Sequence, residues 1–142
     1  MEAKQGYWAD HVEMLRREAA AWVAQAGGKT EQALQWMRSA AELEASTDKH
    51  PVTPGSVLPA RELLGDLLLE LHQPAQALRE YEASLRDAPN RFNSLYGAAR
   101  SAELSGEREK ARAYYAKLVE VSKSGDGDRP ELRQAKTLLA SK

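Results

Sequence analysis

Residues 58–90, LPARELLGDLLLELHQPAQALREYEASLRDAPN, decide the fold class of this chain. Proline is tolerated only in the first turn of a helix or outside it, so the three prolines in this stretch mark where helices begin and end. They predict one helix from near Ser56 to near Leu71 and a second from Pro74 to just before Pro89. Leucine, alanine and tyrosine recur at helical spacing in both, so each helix is expected to have one apolar face to bury.

The same markers divide the rest of the chain. The other predicted helices run from about Asp10 to Ala26, from an N-cap at Thr30 to about Ser46, from an N-cap at Asn90 to Gly106, from there to about Ser122, and from a capping box at Asp128-Arg129-Pro130-Glu131 onward. Residues 47–57 hold two prolines and a glycine, and are expected to form the linker. Short connections elsewhere make neighbouring helices antiparallel. The sequence therefore predicts an all-α protein of seven helices.

Composition agrees with this class and excludes others. The chain has 142 residues, 42% of them hydrophobic, with no isoleucine and no cysteine, so strand formers are scarce and disulfides and thiolate metal sites are excluded. A net charge of -1 lacks the basic surplus that nucleic acid requires. No apolar run approaches a bilayer span, and the first six residues carry no signal-peptide pattern. A soluble protein of the cytoplasm or the periplasm is expected.

An internal repeat is the most informative pattern. At an offset of 34 residues Ala77 aligns with Ala111 and Tyr81 with Tyr115. The same offset places Gly65 on Ala99, His72 on Gly106 and Leu85 on Val119. A period of this length with two helices per period is typical of a stacked helical repeat. Small residues are expected to let helices approach closely while the two tyrosines fill the space between successive hairpins.

Residues 58–91 resemble a tetratricopeptide repeat (TPR), because Leu64-Gly65, Ala77, Tyr81 and Pro89 fall on that family's pattern. Residues 92–125 form a second copy, and residues 14–47 a weaker third with Ala21, Gly28, Ala33, Met37 and Ala40 in corresponding places. The resemblance, to bacterial TPR proteins, implies one domain over residues 1–142. It would be a right-handed α-solenoid of three helical hairpins with a capping helix at about residues 128–141. The implied function is a protein-protein interaction scaffold that binds a peptide or a partner protein in a concave groove.

The family's groove positions fall on the first helix of each hairpin. Here they include Glu18, Trp22, Glu62, Asp66, Leu69, Glu70, Asn93, Tyr96, Arg100 and Glu103. Such a mixed acidic and aromatic surface favours a basic or amide-rich segment, and the alternative is that these are ordinary solvated helix faces. Family members that grip a terminal carboxylate need lysine, asparagine and arginine at set places. This chain has Glu18, Trp22, Leu63, Asn93 and Gly97 there, so the resemblance does not imply that activity.

No catalytic, cofactor or metal site is predicted. Gly27-Gly28-Lys29-Thr30 resembles the end of a phosphate-binding loop, but Val23 stands where the first glycine should be and a helix precedes it, so an interhelix turn is expected. Asp126-Gly127-Asp128 lacks the spaced carboxylates of a calcium loop. His11, His50 and His72 lie in different elements without ligand spacing. The chain is therefore not expected to be an enzyme.

Three tryptophans, Trp8, Trp22 and Trp36, recur every 14 residues. Fourteen residues are nearly four helical turns, so Trp8 and Trp22 share a face if the first helix reaches back that far. Core filling is one interpretation, and the other is an exposed seam that contacts a second copy of the chain or an upstream repeat. Two other functions stay open: a structural C-terminal segment of a longer solenoid without a ligand of its own, and a ligand-sensing domain whose linker folds over the groove.

Overall fold

The computed structural model describes residues 2–47, 57–125 and 128–141, and within these ranges every regular element is an α-helix. The helices are α1 (Glu2–Ala26), α2 (Thr30–Ser46), α3 (Ala60–Glu70), α4 (Pro74–Asp87), α5 (Phe92–Leu104), α6 (Arg108–Val121) and α7 (Pro130–Ala140). The predicted linker lies outside the described residues except for its ends, Thr47 and Val57. The predicted number and order of helices are confirmed for this part of the chain.

Two helices begin at residues other than those expected. α1 begins at Glu2 rather than near Asp10, because the weakest helix former in between is Gly6, and one glycine costs a helix about 1 kcal/mol without breaking it. α3 begins at Ala60 rather than near Ser56. The carbonyl of Pro59 accepts the first helical hydrogen bonds, from the N–H groups of Glu62 and Leu63, so this proline precedes the helix instead of lying in its first turn.

The predicted N-caps are wrong by one residue. Lys29, Arg91 and Arg129 occupy the N-cap positions, and none of them caps its helix with a side-chain hydrogen bond. At α7 the carboxylate of Asp128 pairs with Arg133 at 2.5 Å instead of forming the expected capping box. The helix nevertheless begins with proline as predicted, because the fixed φ of Pro130 suits the first helical position.

The chain divides into two compact units, Met1–Leu64 and Gly65–Lys142. In the first unit α1 packs on α2 through buried alanine, methionine and leucine side chains. These are Met14, Ala21, Ala24, Ala33, Leu34, Met37, Ala40 and Ala41. Arg17 of α1 also reaches α2. Its guanidinium donates to the hydroxyl of Ser39 at 2.6 Å and to Glu13 at 2.8 Å, so the charge is paired inside the hairpin.

Three hairpin turns share one geometry. Gly28, His72 and Gly106 all have positive φ, of 71°, 56° and 77°. In each turn the next residue donates its N–H to a carbonyl five residues earlier, as Lys29 does to Ala24 at 2.9 Å and Gln73 does to Leu68 at 2.8 Å. This is the Schellman motif, which satisfies carbonyls at a helix C-terminus. The three aligned positions therefore close three equivalent turns, and the middle turn lacks the glycine that suits it.

Replacing His72 by glycine is expected to stabilise the protein by about 1 kcal/mol. A residue with a Cβ pays roughly 1–2 kcal/mol in the left-handed region, and part of that gain is offset by the greater chain entropy of glycine when unfolded. Urea unfolding followed by circular dichroism measures the difference. Gly106→Ala is the matched control and should lose a similar amount, whereas a destabilised His72→Gly variant would contradict the assigned strain.

In the second unit Tyr81 occupies the position that the repeat pattern gives it. Its ring is 1% exposed and lies against Gly65 of α3, where an added Cβ would come within 2.7 Å of the ring, and against Gly97 of α5. Ser84 of α4 and Ser94 of α5 share a buried hydrogen bond of 2.9 Å. The two glycines thus make room for one aromatic ring between three helices, as the sequence predicted for Gly65 but not for Gly97.

Candidate functional site

In the first unit two predicted groove residues lie one turn apart on α1, and the packing of α1 on α2 positions them. Glu18 is 8% exposed, and its carboxylate has no hydrogen bond or ion pair within the described part of the chain. Trp22, one turn further on, is half-buried. Both guanidinium groups nearest in sequence, Arg16 and Arg17, are bonded to Glu13 instead.

Burial raises the pKa of Glu18 from 4.5 to about 7, and the nearby carboxylate of Glu44 on α2 adds to the effect. Glu44 itself accepts a hydrogen bond of 2.7 Å from the N–H of Ala60, at the start of α3. Sequence reasoning missed Glu44, because it belongs to a second helix and only packing shows that it lies near Glu18. The result is a pair of carboxylates with no cation bound to the buried member among the residues that the structure describes.

This pair predicts that the protein loses stability as pH rises. In the folded state Glu18 holds its proton up to about pH 7, whereas the unfolded chain releases it near 4.5, so the stabilisation is complete below 4.5 and disappears above 7. Glu18→Gln should remove that dependence. The free energy of unfolding of Glu18→Gln, measured relative to that of wild type, should therefore rise when the pH is raised from slightly acidic to slightly alkaline. After allowance for solvent screening we expect this rise to be about 1–2 kcal/mol. Urea unfolding at both pH values measures this, with Glu31→Gln as the exposed control. Parallel pH profiles for wild type and Glu18→Gln would contradict it.

The burial of Glu62 disagrees with its predicted place in the groove. It lies in the first turn of α3 and was expected to line the groove, but it is 1% exposed and is engaged in a contact within the protein. A charged residue in a first helical turn is usually solvated, and only the packing around α3 buries this one. Glu62 is therefore unsuited to touch a ligand directly.

The second unit holds the remaining predicted groove residues. On α3 Asp66 and Glu70 are exposed, and Leu69 beside them is half-buried. Asp66 accepts a hydrogen bond of 2.5 Å from the hydroxyl of Tyr81, so one of these carboxylates also anchors the buried ring. On α5 Asn93 is exposed. Asp66, Leu69 and Glu70 thus lie on neighbouring turns of α3, and Asn93 lies in the first turn of α5.

The other predicted groove residues of α5 form contacts within the second unit. Tyr96 donates its hydroxyl to Gln134 of α7 at 2.7 Å. Arg100 pairs with Glu103 at 2.9 Å, and the same Glu103 oxygen accepts the hydroxyl of Tyr115 at 2.9 Å. Burial, together with the bond to this carboxylate, raises the pKa of Tyr115. The structure therefore gives Tyr96, Arg100 and Glu103 roles in packing that their positions in the repeat did not indicate.

α7 packs on α6, and side-chain contacts at both of its ends hold it in place. Near its start the guanidinium of Arg129 lies 4.0 Å from the ring centre of Phe92. At its other end Arg112 of α6 donates to the carbonyls of Leu139 at 3.1 Å and Ser141 at 2.9 Å. A cation at a helix C-terminus also interacts favourably with the helix dipole. The C-terminal helix thus contacts Phe92 and Tyr96 of α5 while its other end is held by α6.

A cleft of about 760 Å³ lies between the ends of α5, α6 and α7. Its walls include Glu103, Arg108, Glu109, Arg112 and Leu138. Two carboxylates and two guanidinium groups line it, and Arg112 is already bonded to carbonyls at the end of α7. The cleft therefore lacks the single sign of charge that would select an anion or a cation.

The outer face of α1 carries an uncovered apolar stripe. Trp8, Val12, Leu15 and Val23 are between 57% and 73% exposed, and together with Ala19 they recur at intervals of three or four residues. Such spacing places them on the outer side of the helix, with Leu15 at the edge next to Glu18, whereas Met14, Ala21 and Ala24 are buried on the side of α2. Because α1 begins at Glu2, it includes Trp8, so the condition for the predicted tryptophan seam is met. Trp36 lies on α2 instead, 5.0 Å beneath the guanidinium of Arg16. We name Trp8, Val12, Leu15, Ala19 and Val23 the α1 stripe.

The motifs set aside in the sequence do not form sites among the described residues. Gly27 and Gly28 form a hairpin turn, and no group of three or more acidic, histidine or cysteine residues could hold a metal ion in this part of the chain. Within it, His11 bonds to the carbonyl of Tyr7 at 3.1 Å. His50, Asp126 and Gly127 lie outside the described residues. No helix described here has both the length and the apolar character needed to cross a bilayer.

Solved structures share this arrangement of helices. PcrH from Pseudomonas aeruginosa is 15% identical with a TM-score of 0.67, and the match covers 89% of this chain and 88% of that chain. A TPR-like protein from Chlorobium tepidum is 17% identical with a TM-score of 0.64, covering 94% of this chain and 96% of that chain. No family model matches the chain, and no curated protein matches it. The resemblance seen in the sequence is therefore confirmed at the level of fold: the chain has an all-α helical-repeat solenoid fold of the TPR type.

Proposed function

We propose that the protein is an interaction scaffold that binds a basic or amide-rich segment of a partner through the first helices of its hairpins. The observation that carries the proposal is the exposure of Asp66 and Glu70 beside Leu69 on α3. Acidic groups that flank an apolar side chain suit a segment in which lysine or arginine alternates with apolar residues. The TPR-type fold supports a protein partner, because each hairpin presents its first helix as a surface for recognition.

Fluorescence anisotropy with a library of labelled basic and acidic peptides tests this proposal. We expect basic peptides to bind and acidic ones not to. Glu70→Lys should weaken binding about two- to fivefold, as for an exposed ion pair, and more at low salt. Glu120→Lys, an exposed reversal on the second helix α6, is the matched control and should have little effect. Equal binding of both peptide classes, or none, would reject the proposal, and none would favour a structural segment without its own ligand.

A second candidate function is self-assembly through the α1 stripe. In an antiparallel pair of α1 helices Trp8 would face Val23, Val12 would face Ala19, and Leu15 would lie beside its own copy. A two-fold interface needs such self-complementary order, and heptad-like spacing keeps the seam facing its partner. Exposed apolar patches of about a few hundred Å² commonly mark interfaces.

Sedimentation equilibrium distinguishes this candidate from an upstream repeat as the occupant of the stripe. We expect wild type to self-associate and Trp8→Ala to shift toward monomer. Ala9→Ser, at an exposed site beside the stripe, serves as the control and should leave the association unchanged. A monomer for both wild type and Trp8→Ala would reject pairing and favour packing against an upstream repeat.

A further inference from the structure

Glu18 stands out among the charged residues of the first unit, because it is more than nine-tenths buried without a partner in the residues that the structure describes. It is 8% exposed, and no hydrogen bond or ion pair from those residues reaches its carboxylate. A buried carboxylate costs free energy unless a cation or several donors compensate it. A cation that reached the carboxylate of Glu18 would therefore lower the free energy of the folded protein.

The described charged groups of the first unit do not supply a cation to Glu18. On its own helix Arg16 and Arg17 are bonded to Glu13. On α2 the group that acts on Glu18 is Glu44, a second carboxylate, which accepts the N–H of Ala60. On α3 Arg61 has a contact of its own, and Glu62 is buried and engaged. The surroundings of Glu18 are thus acidic on the side of α2, and burial and Glu44 together raise its pKa.

The side chains beside Glu18 along α1 specify what kind of cation fits. Leu15, three residues earlier, is exposed, and Trp22, four residues later, is half-buried. Residues at these spacings lie on the same helix face as Glu18. An indole attracts a cation over its ring, and an apolar surface suits the aliphatic stem of a lysine or arginine. A metal ion fits poorly, because the described residues contain no group of three or more ligands for it.

We propose that Glu18 and Glu44 receive the ammonium or guanidinium group of a lysine or arginine side chain, with Leu15 and Trp22 contacting its stem. This assignment rests on the proposed function, since the cation would belong to the bound segment, and it names the side chain that the first unit selects. The incoming charge would compensate both carboxylates, and the ionised form of Glu18 would become the stable one.

The test uses wild-type protein and single amino-acid derivatives, so that it does not depend on peptide binding. The pKa of Glu18 is followed by ¹³C NMR of the side-chain carboxyl carbon in the presence of Nα-acetyl-lysine amide, which keeps its ε-ammonium group. A parallel experiment uses Nα-acetyl-norleucine amide at the same ionic strength. We expect the lysine derivative to lower this pKa by about 1 unit or more, as an opposite charge at contact distance does, and the norleucine derivative to leave it unchanged. The exposed Glu31 serves as the internal control and should respond to neither derivative.

An unchanged Glu18 pKa in both titrations would overturn the assignment, as would equal shifts with both derivatives. The outcome is separable from that of the peptide experiment. A lysine-specific shift without any peptide binding would support the cation site at Glu18 and Glu44 and reject the scaffold function. Peptide binding without the shift would support the scaffold function and reject the cation site.

Discussion

Replacing Tyr81 by alanine is expected to lower the free energy of unfolding by about 3–5 kcal/mol, the range for truncating a large buried aromatic side chain. The ring is 1% exposed and lies between Gly65 and Gly97, two residues without side chains that could move into the space. The carboxylate of Asp66 also loses the hydrogen bond that it accepts from the Tyr81 hydroxyl. A cavity between three helices would remain, and its walls could collapse only in part.

Two further variants separate the ring from its hydroxyl. Tyr81→Phe keeps the ring and should lose about 1–2 kcal/mol, the usual value of a hydrogen bond to a charged group. Tyr114→Ala removes a half-buried tyrosine of α6, which bonds to Glu82 at 3.0 Å, and should cost clearly less than Tyr81→Ala. Urea unfolding by circular dichroism gives all three values. A Tyr81→Ala variant within about 1 kcal/mol of wild type would contradict the role assigned to the ring.

The second large effect is expected at Gly97. A Cβ at this position would overlap the Cε1 and Cζ atoms of Tyr81, so the ring or α5 must move. Alanine is a better helix former than glycine by about 1 kcal/mol, yet overpacking of a core costs about 1–3 kcal/mol or more. We therefore expect Gly97→Ala to destabilise the protein by about 2 kcal/mol in urea unfolding, against the helix propensity.

A double-mutant cycle checks the cause. In the Tyr81→Ala background the ring is gone, so Gly97→Ala should be neutral or stabilising, and the two effects should be strongly non-additive. Gly6→Ala is the matched control, because a Cβ added to this helical glycine would meet nothing within 4 Å, and the variant should gain up to about 1 kcal/mol. Additive costs at positions 81 and 97 would show that the glycine serves another purpose.

The repeat pattern was predictable from the sequence because it depends on local chemistry. Glycine and proline set helix ends through allowed φ angles, which is why Gly28 and Gly106 mark two of the turns and Pro74 begins α4. His72 shows that the repeat predicts a turn even where the glycine is absent. Its alignment with Gly106 placed it in a turn, and the structure gives it the same positive φ despite its side chain. The tyrosine and glycine pair at 81 and 65 also followed from the 34-residue offset.

The candidate site was predictable only as a set of helix positions. Tyr96 and Arg100 occupy groove positions of the repeat, but α7 and Glu103 engage them, and the pattern of one repeat carries no information about a helix that follows it. The α1 stripe could have been found, since its heptad-like spacing is visible once the helix is extended to Glu2. Glu44 could not, because its proximity to Glu18 depends on how two helices pack.

Local propensity and periodicity determined the helices, the hairpin turns and the tyrosine between successive hairpins, because each depends on residues close in sequence or repeated at a fixed interval. Burial was decided by tertiary structure alone: Glu18 and Glu62 are both glutamates of first helices, yet the packing of the described residues leaves the first without a partner and engages the second. The physical reason is that the free energy of a charge depends on the atoms around it, and those come from helices distant in sequence.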